Sequence, residues 1–106
     1  MKQLQDAINE WQDKTFPRTT MIAACVKLNG EVAELLTAVS TGEPIGNIAD
    51  ELADIIHLVC DVARCTNDHF GAQGQRIDLD RATWAKLAEN HERKWNIRSD
   101  GTGQHR

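Results

Sequence analysis

Apolar residues recur along this chain at spacings of three and four rather than two, and that period predicts helices. Leu4, Ala7, Ile8 and Trp11 fall at i, i+3, i+4 and i+7 and mark a first helix over about residues 2–13. Lys14-Thr15-Phe16-Pro17 closes it, because the residue before a proline avoids the α region. A second helix spans about residues 19–40, with Thr19 or Thr20 as its cap. Along it Met21, Cys25, Leu28, Val32, Leu35 and Val39 alternate steps of four and three, a packing stripe of coiled-coil type. Gly30 inside that helix costs about 1 kcal/mol relative to alanine, which points to close approach of another backbone there. A linker over residues 41–46 turns the chain into a third helix, about residues 47–66, with the stripe Ile48, Leu52, Ile55, Val59 and Val62. A polar loop with glycine follows over residues 67–76. A fourth helix then starts near Asp78 or Asp80 and carries Trp84, Leu87, Ala88, His91 and Trp95 on one face. β-Branched alternation is scarce, so neither strands nor a hairpin are expected. The pattern therefore predicts an all-α bundle of about four helices in one domain, residues 1–96, followed by a mobile polar tail, residues 97–106.

Composition narrows the function classes. At 106 residues, 41% hydrophobic and 26% charged, the chain is one globular domain whose small size leaves a thin margin of stability, so a homodimer or homotetramer is expected. A net charge of -4 argues against an electrostatic nucleic-acid binder, although an acidic protein can still hold a polyanion through divalent metals. No apolar run approaches the roughly 20 residues of a membrane helix, and the polar opening Met1 to Asp6 has no apolar signal region. Cys25, Cys60 and Cys65 are an odd set, which suggests a reducing compartment and a cytoplasmic protein. Cys25 and Cys60 sit in apolar stretches and read as small core residues, and no cysteine pair has zinc-site spacing beside a histidine.

The chemistry lies in a repeat. Glu31-Val32-Ala33-Glu34-Leu35-Leu36 and Glu51-Leu52-Ala53-Asp54-Ile55-Ile56 match at an offset of 20 residues, and the same offset maps Leu28 onto Ile48 and Val39 onto Val59. At about 100° per residue, Glu31 stands about 60° from Leu28 and Glu34 about 120° from it on the same side, and Glu51 and Asp54 stand likewise from Ile48. If the short linker makes these helices antiparallel neighbours related by a local two-fold, both acid pairs emerge on one side. Four carboxylates in one volume repel each other and need positive charge. Lys27 alone borders the stripe, whereas oxygen ligands at helical spacing suit Mg²⁺ or Mn²⁺. The plainer reading of either pair by itself is a solvated helix face.

Glu31-x-x-Glu34, sixteen residues, then Glu51-x-x-Asp54 resembles the metal-binding signature of the MazG-like all-α nucleoside triphosphate pyrophosphatases, a superfamily that includes dimeric dUTPases and dCTP pyrophosphatases. Trp11 with Phe16-Pro17 looks like that family's N-terminal segment, and the resemblance covers about residues 5–98. It implies hydrolysis of a nucleoside triphosphate to a monophosphate and pyrophosphate, with Glu31, Glu34, Glu51 and Asp54 holding Mg²⁺, or Mn²⁺, that binds the triphosphate. Glu34 is our choice for the acid that takes the attacking water's proton. Lys86, Asn90 and Arg93, at i, i+4 and i+7, resemble the family's phosphate-binding motif and imply contact with substrate from the site's own or a neighbouring subunit; otherwise they form a solvated face. Arg98-x-Asp100-Gly101-Thr102-Gly103-Gln104-His105 looks like the ending of a virus-encoded subgroup of dATP/dGTP diphosphohydrolases, which implies a purine deoxynucleotide.

Other residues are weighed more simply. Trp11, like Lys27, is a candidate for substrate binding, by stacking on a base, although its place in an apolar stripe also suits the core. Asp61 lies two turns after Asp54, able to support the ligands. His57 points away from the stripe, toward solvent or a subunit contact, and His91 reads as a core histidine. The rivals to the pyrophosphatase reading are a non-catalytic helical interaction or antitoxin-like module, and a phosphohydrolase that releases a single phosphate.

Overall fold

The computed structural model describes residues 1–71 and 75–105. Its elements are α1 (Lys2–Thr15), α2 (Met21–Ser40), α3 (Ile45–Phe70) and α4 (Leu79–Glu92), then a short hairpin of β1 (Trp95–Ile97) and β2 (Gly103–His105). The architecture is the all-α bundle that the periodicity predicts, with two departures in length. α3 starts directly after Pro44 and runs on to Phe70, because nothing between Asn67 and Phe70 breaks a helix. α4 stops at Glu92, so Trp95 leaves the helix and enters β1. Part of the loop expected over residues 67–76 and the last residue of the tail, Arg106, lie outside the described residues.

α2 and α3 form the backbone of the fold. Thr20 caps α2, its hydroxyl accepting from the Ala23 amide at 3.1 Å, an interaction worth about 1 kcal/mol. At the other end Glu43 donates to the Ala38 carbonyl (3.0 Å) and Gly42 to the Val39 carbonyl (3.2 Å), with Gly42 at φ +69. That is a Schellman closure, and it needs glycine at its left-handed position. The chain then reverses into α3 within a few residues, which brings the repeated acids of the two helices together.

The seam between them is rotated by one position from the stripe read in the sequence. On α2 the inward row is Met21, Ala24, Leu28, Glu31, Leu35 and Ala38, with Ala24 and Ala38 fully buried; Cys25, Val32 and Val39 face out. On α3 Glu51 stands in the inward row between Ile48 and Ile55, while Leu52 is 47% exposed. Small alanines let the helices approach, and the acids lie in the seam rather than beside it. Gly30 is not the point of approach: a Cβ there would meet nothing within 4 Å in the protomer.

α1 packs on α3, and its buried face is Gln5, Ile8 and Gln12 rather than Leu4, Ile8 and Trp11. Both amides donate to backbone carbonyls, Gln12 to that of His57 (2.8 Å). Gln5 donates to the Ile77 carbonyl (3.1 Å) and accepts from the Leu79 amide (2.8 Å), while Asn67 of α3 accepts from the Ile77 amide (2.5 Å). These bonds fix the start of α4 against α1 and α3. Among the cysteines, Cys60 and Cys65 are buried and Cys25 is exposed, so Cys25 is no core residue. His91 is likewise exposed.

The hairpin is the main correction to the reading of the tail. Trp95 pairs with His105 and Ile97 with Gly103. Asp100-Gly101, a turn dipeptide overlooked in the sequence reading, builds it: Gly101 takes φ +89 and the Asp100 carboxylate accepts from the Thr102 amide (3.0 Å) and hydroxyl (2.6 Å). The Trp95 ring covers Gly103, where a Cβ would stand 3.1 Å from it.

The protomer buries little apolar volume. Its buried apolar residues are Ile8, Ala24, Ala38, Cys60, Ala63 and Cys65, while Ile22, Val26, Leu36 and Trp84 are each about two-thirds exposed or more. The Cα radius of gyration is 16.2 Å, against about 13 Å for a compact chain of this length. No helix among the described residues is long and apolar enough to cross a membrane.

Candidate metal centre and adjoining cavity

Because Glu31 and Glu51 stand in the seam, their carboxylates meet. Glu31, Glu51 and Asp54 each place an oxygen within 4.8 Å of the others. The two seam residues are partly buried, and Glu31 Oε2 and Glu51 Oε2 are buried with no hydrogen-bond partner. Desolvation, and then the neighbouring Glu34, Glu51 and Asp54, push the Glu31 carboxyl up to about 7. Uncompensated buried acceptors of this kind are costly unless a cation meets them. Their oxygen-only chemistry suits a hard divalent ion. Glu34, exposed like Asp54, stands against Glu31 and, with Thr37, Glu43 and Glu51, lines a hollow on the far side of the cluster.

On the other side of the cluster opens a cavity of about 480 Å³, within the range of small-molecule sites. Glu31 and Asp54 form one end of its wall, with Lys27 beside them. α1 and the turn after it supply an aromatic wall. Trp11 stands edge-on to Phe16 (centroids 5.5 Å apart) and to His57 (6.2 Å). Trp11 is 51% exposed and so belongs to the cavity rather than the core, and His57 faces the cavity rather than standing clear of it.

A buried ion pair holds this wall in place. Arg64, 4% exposed, donates from Nε and Nη2 to Asp61 Oδ1 (2.9 and 2.7 Å), from Nη1 to Asp13 (3.2 Å) and from Nη2 to the Phe16 carbonyl (3.1 Å). Burial works against its charge, but Asp61 and Asp13 outweigh that and raise its pKa. Cys65 adds a bond to the Thr19 carbonyl at 3.3 Å. The turn from Phe16 to Thr19 is thereby pinned to α3. Asp61 is also part of the cavity wall, and its side-chain partners are Arg64 and Cys65 rather than any of the clustered acids.

Within one protomer Lys86, Asn90 and Arg93 do not reach the cavity. Lys86 (3.0 Å) and Arg93 both pair with Glu89, and Asn90 gives its carbonyl to the Trp95 indole (3.0 Å). The sequence reading missed Gln12, Arg18 and Arg64. Amides at positions 5 and 12 around Ile8, and an acid followed by arginine three residues later, were the available signals.

No protein-family model matches the chain. A dATP/dGTP diphosphohydrolase of Salmonella phage PMBT28 is 36% identical to it over 102 residues, which are 96% of this chain and 30% of that protein. The chain thus spans about a third of the length of that relative. Among solved structures, a cyanophage S-2L MazG-like pyrophosphohydrolase bound to dGDP and three catalytic Mn²⁺ ions per active site aligns with a TM-score of 0.70 at 26% identity. That alignment covers 98% of this chain and 94% of the other. With that likeness along nearly its whole length and its repeated acids meeting between α2 and α3, the chain has the MazG-like all-α fold.

Proposed function

We propose that the chain is a divalent-metal-dependent pyrophosphohydrolase that converts a purine deoxynucleoside triphosphate, dGTP or dATP, to its monophosphate and pyrophosphate. One observation carries this reading: three carboxylates, two with buried unpartnered oxygens, converge at the end of an aromatic-walled cavity of nucleotide size. The relatives support it, one being a dATP/dGTP diphosphohydrolase and the other holding dGDP and Mn²⁺. In this reading Glu31, Glu51 and Asp54, with Glu34 alongside, hold Mg²⁺ or Mn²⁺. Bound there, the ions polarise phosphoryl oxygens, offset developing charge and acidify water. Glu34, which lies outside the Glu31–Glu51–Asp54 cluster, takes the proton of the attacking water in this reading. Lys27 stands beside the acids as a point charge for a phosphate, and Trp11 offers its ring to the base.

The working form in this reading is a homodimer or homotetramer. The outward apolar row of α2, with Ile22, Val26 and Leu36, needs cover, as does Trp84 on α4. A second copy also offers a route for Lys86, Asn90 and Arg93 to reach a triphosphate. An interaction module would use the same apolar row, but it gives no reason to bury the oxygens of Glu31 and Glu51. A panel of nucleoside triphosphates with Mg²⁺ or Mn²⁺, read for both phosphate and pyrophosphate, tests the proposal. Pyrophosphate from dGTP or dATP supports it; no metal-dependent release from any triphosphate overturns it.

A further inference from the structure

The end of the cavity away from the metal cluster has a polarity of its own. Seven residues of α3 separate Asp54 from Asp61, a rise of about 10 Å, so the two carboxylates face opposite ends of the same space. Asp61 Oδ1 receives Arg64 and Cys65, whereas Oδ2 has no partner among the described residues. Gln12, 3% exposed, stands in the same wall. Its amide nitrogen is spent on the His57 carbonyl at 2.8 Å, the carbonyl toward which the Asp61 amide points in a helix, so the Gln12 side chain lies level with Asp61. Gln12 Oε1 is left buried with no partner. Arg18, which makes no ion pair among the described residues, joins the wall from the turn that Arg64 pins beside Asp61.

Two uncommitted acceptors next to a cation match one base edge. Guanine presents two adjacent donors, N1–H and the 2-amino group, with O6 as acceptor beside them. Adenine presents an acceptor at N1 and a donor amine at position 6, which would set like against like at both places. Resting on the pyrophosphohydrolase reading, we propose that Asp61 and Gln12 read the N1–H and 2-amino edge of guanine while Arg18 meets O6, so that this chain prefers dGTP to dATP. Arg64 then acts as a positioning residue: it occupies one oxygen of Asp61 and leaves the other aimed at the base.

The test compares substrates on the unaltered protein. With Mn²⁺ present, kcat/KM is measured for dGTP, dITP (no 2-amino group), 1-methyl-dGTP (no N1–H) and dATP. In parallel, equilibrium binding is measured for dGMP, dIMP and dAMP. Each lost donor is expected to lower kcat/KM and binding by roughly 10- to 100-fold. In Asp61→Asn and in Gln12→Leu, whichever remains folded by circular dichroism, the gap between the guanine and hypoxanthine or adenine nucleotides should shrink by a similar factor. Equal handling of dGTP, dITP and 1-methyl-dGTP overturns the proposal, as does a folded variant that keeps the full discrimination. Selective dGMP binding without turnover of any triphosphate supports the base reading and overturns the reaction; absence of both overturns both.

Discussion

The Arg64–Asp61 pair offers a test whose size follows from the structure. Arg64→Met keeps most of the side chain's volume and removes its charge. Asp61, with a side chain only 8% exposed, then loses the guanidinium at 2.7 Å and stays behind as a buried anion. Breaking a buried pair from one side costs about 3–5 kcal/mol. The Asp13 arm adds at most about 1 kcal/mol, because Asp13 is 60% exposed and its pair is screened. The Phe16 carbonyl also loses a donor, again about 1 kcal/mol. A loss near 5 kcal/mol at about 4 °C per kcal/mol lowers Tm by about 20 °C for a chain of this size. Thermal unfolding should be followed at one fixed protein concentration, since assembly makes Tm depend on it. The double variant Arg64→Met, Asp61→Leu removes both charges and should regain most of the loss. A drop below about 1 kcal/mol in the single variant, or no recovery in the double, would refute the claim that this pair pins the cavity wall.

Three further outcomes follow from the site. Glu51→Gln and Asp54→Asn should each abolish turnover while leaving metal-free stability unchanged or raised, since each removes one of several repelling carboxylates; near-normal activity at ordinary Mg²⁺ removes them from the metal centre. The Glu31 carboxyl is pushed up to about 7 from an ordinary 4.5, so the folded chain holds that proton more tightly than the unfolded one; metal-free stability from this group is complete below pH 4.5 and is lost as pH rises through about 7, and Glu31→Gln should flatten a Tm profile over that window. Lys86→Ala should lower kcat/KM for triphosphates by roughly 10- to 100-fold with little change in Mn²⁺ affinity, the loss expected for one charge-assisted phosphate contact; unchanged steady-state kinetics return that face to solvent.

The sequence made the helices and the repeated acids legible because both depend on local spacing. A period near 3.6 places four helices whatever they pack against, and the copy of Glu31-x-x-Glu34 at Glu51-x-x-Asp54 needs only a turn to bring the copies together. Which face turns inward was not local. Val32 and Leu52 are better hydrophobes than Glu31 and Glu51, so burial preference alone selects the wrong row; the alanines at 24 and 38 decide the seam through close approach. The same competition hid Gln12, an amide on a buried helix face, and left Trp11 looking like core. The hairpin was missed for a smaller reason: three-residue strands carry almost no periodic signal, and its evidence is Asp100-Gly101. The distance of Lys86, Asn90 and Arg93 from the acids in one protomer has its own cause, because among the described residues α4 packs chiefly on α1 rather than on the α2–α3 pair.

Hydrolysis of dGTP in ¹⁸O-labelled water, with Mn²⁺ and the purified chain, tests the central claim most directly. In the proposed reading, metal ions held by Glu31, Glu51 and Asp54 at the end of a cavity that takes the nucleoside would put the α-phosphorus, rather than the γ, beside the attacking water. The account predicts one label in dGMP and none in pyrophosphate. Label confined to free orthophosphate, with dGDP as the other product, would contradict it.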